Sequence, residues 1–121
     1  SFSGYLAKRK LPGVIDEMTP TQPTSSDAIT ITWSKPAKLH WGVDASLLGH
    51  WSKPPAEYWP AGSVLWSDGK AIESSLTGPN ASGKYSIVIG PFNQTAVHEV
   101  NFVMHNNDGT WSSPDQTIVI N

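Results

Sequence analysis

Ile29, Ile31 and Trp33 alternate with Thr30 and Thr32, the period-two pattern that places successive side chains on opposite faces of a half-buried strand. Pro36 ends that run. A second alternation sets Leu39, Trp41 and Val43 against Lys38, His40 and Gly42, which predicts His40 and Trp41 on opposite faces. Residues 63–66 and 71–76 make two short runs joined by Ser67-Asp68-Gly69, a predicted hairpin because Asp-Gly tolerates positive φ. Tyr85, Ile87 and Ile89 predict the next strand, and Val100, Phe102 and Met104 one that begins near Val97. Asn106-Asn107-Asp108-Gly109 is a turn signal, followed by Thr110-Trp111 and a last run over residues 117–120.

The intervals between these runs divide the chain. Residues 1–26 hold Pro12, Gly13, Pro20 and Pro23 in a Ser/Thr-rich stretch and read as a linker or loosely docked arm, within which Leu11, Val14 and Ile15 suit a short edge strand. Residues 27–121 form the predicted domain. Inside it, residues 44–62 carry Pro54, Pro55 and Pro60 with Gly49 and Gly62 and no periodicity, a long loop of the kind that often carries function. Seven to eight short strands with turn signals and no amphipathic helix predict an all-β, immunoglobulin-like antiparallel β-sandwich.

Composition narrows the function. At 121 residues the chain suits one domain and one core. A formal net charge of -2, with bases scattered apart from Lys8, Arg9 and Lys10, argues against nucleic acid as a partner. Without cysteine there is no disulfide, thiol nucleophile or zinc-thiolate site, and one Asn/Asp turn lacks the spaced carboxylates of a calcium loop. No cofactor or metal is therefore expected. No apolar stretch is long enough for a signal peptide or a membrane span, and the chain, opening on Ser1, reads as a segment of a longer protein. Low charge with abundant Trp, Pro and Gly suits an extracellular domain of short strands, expected to be monomeric.

Six tryptophans demand explanation. Trp33 continues the apolar face of Ile29 and Ile31, and Trp41 that of Leu39 and Val43, so both are predicted in the core. Trp66 closes an apolar run and reads either way. Trp51, Trp59 and Trp111 fall outside the alternating runs, two in the proline-rich loop and one after the turn. Indole faces attract the C–H face of a pyranose ring while the N–H remains able to hydrogen-bond. Removing about 80 Å² of apolar surface from water on such a platform contributes roughly 2 kcal/mol before ordering costs. A plug folded back over the end of the sandwich is the competing explanation for each.

The stretch Lys38-Leu39-His40-Trp41-Gly42-Val43, then Gly49-His50-Trp51, then Phe102-Val103-Met104-His105-Asn106-Asn107-Asp108-Gly109-Thr110-Trp111 resembles the starch-binding modules of carbohydrate-binding-module families 25 and 26. It is also similar to the starch-binding repeats of plant glucan water dikinases. The resemblance covers residues 28–121 and implies a non-catalytic module that binds α-glucan or maltooligosaccharide and targets an attached, larger carbohydrate-active enzyme to polysaccharide in a secreted, extracellular setting. It implies that His40 is the polar partner of a glucose hydroxyl and that Trp51 and Trp111 are the stacking platforms. Glu73, Asn106, Asn107 and Asp108 are further hydrogen-bonding candidates, with Lys53 and Lys70 behind them; for the Asn/Asp residues the turn is a sufficient explanation by itself. The segment from Val43 to Trp51 is longer than in those families, which leaves open whether Trp51 or Trp59 is the loop platform. Two angled platforms suit a curved α-1,4-glucan better than the flat ribbon of cellulose.

Two other functions compete. Glycoside hydrolysis needs paired carboxylates about 5–9.5 Å apart, and no nucleophile elbow, zinc helix or phosphate loop is present, so no catalytic residue is assigned. A structural immunoglobulin- or fibronectin-like spacer, or a protein-binding domain, accounts for the fold but not for tryptophans in loops.

Overall fold

A computed structural model describes residues 17–121. Among the described residues, eight strands form two antiparallel sheets: β1 (Glu17–Thr19), β2 (Ile29–Trp33), β3 (Ala37–Val43), β4 (Val64–Leu65), β5 (Ile72–Ser75), β6 (Tyr85–Ile89), β7 (Glu99–Asn106) and β8 (Gln116–Val119). The smaller sheet runs β1-β2-β6 and the larger β4-β5-β3-β7-β8. The expected all-β immunoglobulin-like sandwich is what the chain adopts. β1 precedes the boundary expected at Asp27: Glu17–Thr19 pairs with β2, and Met18 is fully buried in the core. Residues 1–16, with Leu11, Val14 and Ile15, lie outside the described residues.

The period-two pattern sorts the core. Ile29 and Ile31 of β2 lie opposite Ile89 and Ile87 of β6, while Leu39, Trp41 and Val43 of β3 lie opposite Met104, Phe102 and Val100 of β7. Ile72 and Ile118 extend the second layer on either side. All of these side chains belong to one buried cluster, because two sheets stacked face to face leave room between them only for their inward rows. Trp33 and Trp41 are buried as the alternation predicts, and each finds an acceptor for its N–H: Asn106 Oδ1 at 2.7 Å and Ser74 Oγ at 3.0 Å. Those bonds offset the cost of burying a polar group.

The loop after β3 is more ordered than its composition predicts. Asp44, at φ 60, leads into a single helical turn, α1 (Ala45–Leu48). Asp44 Oδ1 accepts the backbone N–H groups of His98 and Glu99, and Asn101 Oδ1 and Glu99 Oε2 accept those of Ala45 and Ser46. Reciprocal backbone bonds between Val43 and Ser52 then close the excursion at 2.8 and 3.1 Å. The residues between Val43 and Trp51 are therefore a pinned loop that returns Trp51 to the edge of β3.

Candidate functional site

The outward face of the larger sheet carries the site. His40 of β3 lies directly across from Glu73 of β5, and His105 of β7 shares that face, since Met104 beside it points inward. Both imidazoles bind the same carboxylate oxygen: Nδ1 of His40 is 3.0 Å and Nδ1 of His105 2.8 Å from Glu73 Oε2. Each strand supplies one member, so the sheet register itself assembles the group.

Three indoles surround it. Trp111, brought back by the Asn106–Gly109 turn and a bridge to His105, lies parallel to the His105 ring at 3.8 Å and 6°. His105 covers one face of this indole, and Trp111 nevertheless remains 45% exposed. Trp66, following β4, stands nearly perpendicular to Trp111 at 5.7 Å and 81°. The edge of His40 meets both, at 5.0 Å and 5.1 Å, and Trp51 flanks it at 6.0 Å. Gly42 allows Trp51 this position, because a Cβ there would come within 2.8 Å of the Lys70 carbonyl, 2.9 Å of the Ser52 carbonyl and 3.2 Å of Trp51 Cβ. The result is a corner of indole faces over a floor of two imidazoles and one carboxylate.

Hydrogen bonding divides the six indoles. Trp33, Trp41 and Trp59 each donate their N–H to a protein acceptor, Trp59 to the Pro54 carbonyl at 2.8 Å. Trp51, Trp66 and Trp111 have no such bond to any described residue; no buried side-chain nitrogen of the part-buried described residues lacks a partner, so the N–H groups of Trp51 and Trp66 reach solvent, and the Trp111 ring is itself 45% exposed. Trp59 packs against the core and lines a separate shallow cleft of about 400 Å³ with Glu57, Val88, Pro91 and Gln94. Of the two loop tryptophans, only Trp51 joins His40.

The remaining candidates lie elsewhere or serve the fold. Asn106 is buried, accepting from Trp33 and donating to Thr110 Oγ1 at 3.0 Å. The Asn107 backbone N–H donates to the Pro36 carbonyl. Asp108 accepts from the Thr110 hydroxyl and backbone N–H, bonds that hold its carboxyl below the ordinary aspartate range, with Lys35 adding a smaller effect. These three shape the turn that delivers Trp111. Lys53 and Lys70 are exposed. Conversely, Trp66 and His105 join the site without having been singled out. Strand phase was the available signal for His105, which follows Val103 on the face opposite Phe102 and Met104; Trp66 follows an exposed pair, Val64 and Leu65, too short to define a face.

This geometry can hold a ligand that has both an apolar face and hydroxyl groups. Among the described residues there is no cluster of three or more His, Asp or Glu side chains arranged for a metal ion. Neither a curated protein nor a solved structure matches the chain significantly. One family model does, that of the Alpha-glucan water dikinase 1 Ig-like N-terminal domain, over residues 16–117. The resemblance to module families 25 and 26 is corrected accordingly: the match is to an Ig-like domain of a glucan water dikinase and not to a starch-binding module family. Since the matched span runs through both sheets and into β8, the chain belongs to the family of Ig-like N-terminal domains of alpha-glucan water dikinase 1.

Proposed function

We propose that this domain is a non-catalytic α-glucan-binding unit of a larger glucan-processing enzyme, with Trp111, Trp66 and Trp51 stacking on glucose rings and His40, His105 and Glu73 meeting their hydroxyls. The carrying observation is the open corner of indoles, Trp66 and Trp111 at 81° to one another, above a polar floor. Apolar indole faces grouped beside water favour a ligand that covers them, and a pyranose matches both the apolar face and the N–H donor. Perpendicular platforms follow the bend of an α-1,4-glucan, whereas a flat β-glucan ribbon calls for coplanar ones. Glu73 is the one carboxylate among the contacts that hold the cluster together, whereas glycoside hydrolysis uses two; this supports binding in place of catalysis.

Val64 and Leu65 on the edge strand, 65% and 44% exposed, favour a second reading in which this face docks another domain of the same enzyme. Affinity electrophoresis separates the two. Retardation of the domain in amylopectin gels, reversed by maltoheptaose and not seen with a soluble β-glucan, is the expected result. Unchanged mobility in amylopectin would remove the glucan reading and leave the docking one.

A further inference from the structure

We infer that Glu73 is a positioning residue that locks both imidazoles in the Nδ1–H form, so that the floor of the corner presents hydrogen-bond acceptors and takes its ligand through donated hydroxyls. The ligand clause rests on the glucan reading above; the tautomer clause does not. Two Nδ1 atoms converge on one oxygen, at 3.0 and 2.8 Å, and a carboxyl oxygen carries at most one proton. At least one ring must therefore donate, and with Glu73 as a carboxylate, which only accepts, both do. A neutral imidazole that carries its proton on Nδ1 offers Nε2 as an acceptor.

Those Nε2 atoms are open. Neither bonds to another described residue, and no buried side-chain nitrogen or oxygen among the described residues lacks a partner, so each Nε2 reaches solvent although both rings are largely covered. The same reasoning applies to Glu73 Oε1. The three indoles hold these acceptors in place: Trp111 is stacked on His105, Trp66 and Trp111 meet His40 edge to face, and Trp51 flanks His40. A sugar resting on the indoles can give a hydroxyl hydrogen to each acceptor. A ligand whose hydroxyls are capped as methyl ethers cannot, and one bearing a phosphate ester would meet the Glu73 carboxylate with like charge.

Long-range proton–nitrogen NMR correlations on the imidazole rings of the full chain test the first clause without any ligand. Nδ1–H tautomers for His40 and His105 are expected in the wild type. In Glu73→Ala the acceptor shared by both rings is gone, so neither Nδ1–H is held and the rings should no longer both keep the Nδ1–H form. Maltoheptaose titration tests the second clause: Glu73→Ala, titrated at a temperature where its melt shows it folded, should bind roughly tenfold more weakly, and permethylated maltoheptaose should not bind the wild type. Nε2–H tautomers in the wild type, or a Glu73→Ala variant with both tautomers and affinity unaltered, would overturn the inference. Locked Nδ1–H rings in a wild type that binds no maltoheptaose would instead sink the glucan reading and the ligand clause with it, leaving the hold of Glu73 on the rings intact.

Discussion

Trp41 and His40 are neighbours on β3, and the two faces they occupy are finished differently. On the inner face each polar atom of a large side chain has a protein partner: Trp41 donates to Ser74, which is itself bonded to Ser63, and Trp33 donates to Asn106. On the outer face the bonding stops halfway. His40 and His105 use Nδ1 on Glu73 and leave Nε2 open, while Trp111, stacked on an imidazole, stays 45% exposed. A core closes its hydrogen bonds because water cannot reach them. A recognition surface fixes the geometry of its groups and keeps their outward valences available.

The sharpest way to break this contrast is to truncate an indole on each face. Trp41→Ala should cost about 3–5 kcal/mol of stability, as burying the ring and bonding its N–H are both lost; urea unfolding measures it. A loss below 1 kcal/mol would mean that the inner face is not the core. Trp111→Ala should move the other quantity. Maltoheptaose affinity should fall by about 2 kcal/mol, roughly thirtyfold, through the lost stacking area, and unfolding should shift by less than about 1 kcal/mol. Calorimetric titration and a melt on the same sample decide it, and a variant that melts early while still binding would make Trp111 a plug.

The inner half of this contrast was readable in the sequence and the outer half only partly so. Ile29, Ile31 and Trp33, or Leu39, Trp41 and Val43, repeat often enough to fix a phase, and phase alone sends them inward. His40 follows by exclusion. Trp66 could not be placed because β4 is two residues long and has no repeat to read. His105 is legible in the phase of β7, on the face of Val103 and opposite Phe102 and Met104. Asn106 looked like a turn residue with a free side chain, but it is 5% exposed, and its placement depends on the N–H of Trp33, distant in sequence. The choice between Trp51 and Trp59 was likewise tertiary: the Val43–Ser52 bridge carries one to His40, and the Pro54 carbonyl holds the other.

Those two loop tryptophans sharpen the contrast on a smaller scale. Trp59→Phe keeps an aromatic ring but removes the N–H bonded to the Pro54 carbonyl at 2.8 Å. Stability should drop by about 1 kcal/mol, and mobility in amylopectin gels should match the wild type. The equivalent Trp51→Phe has no internal bond to lose, so it should leave the melting temperature alone and weaken retardation. Exchange of these two outcomes would move the loop platform from Trp51 to Trp59 and its cleft.

The smallest effect concerns how the pinned loop holds Trp51 in place. Burial pushes the Glu99 carboxyl up, but hydrogen bonds from the Asn101 side chain and from Ser46 outweigh it, and the net shift is below the ordinary glutamate value. A group whose folded value is depressed stabilises the fold above its unfolded value, about 4.3, and that contribution disappears as pH falls through the lower folded value. Glu99→Gln removes the titration, so the wild type should exceed the variant in stability at neutral pH and the gap should narrow as pH falls below the ordinary glutamate range. Urea unfolding at several pH values follows that gap directly. A gap that stays constant into acid would show that the Ser46 and Asn101 bonds do not depend on the carboxylate charge, and the loop bearing Trp51 would then be held by Asp44 and the Val43–Ser52 bridge alone.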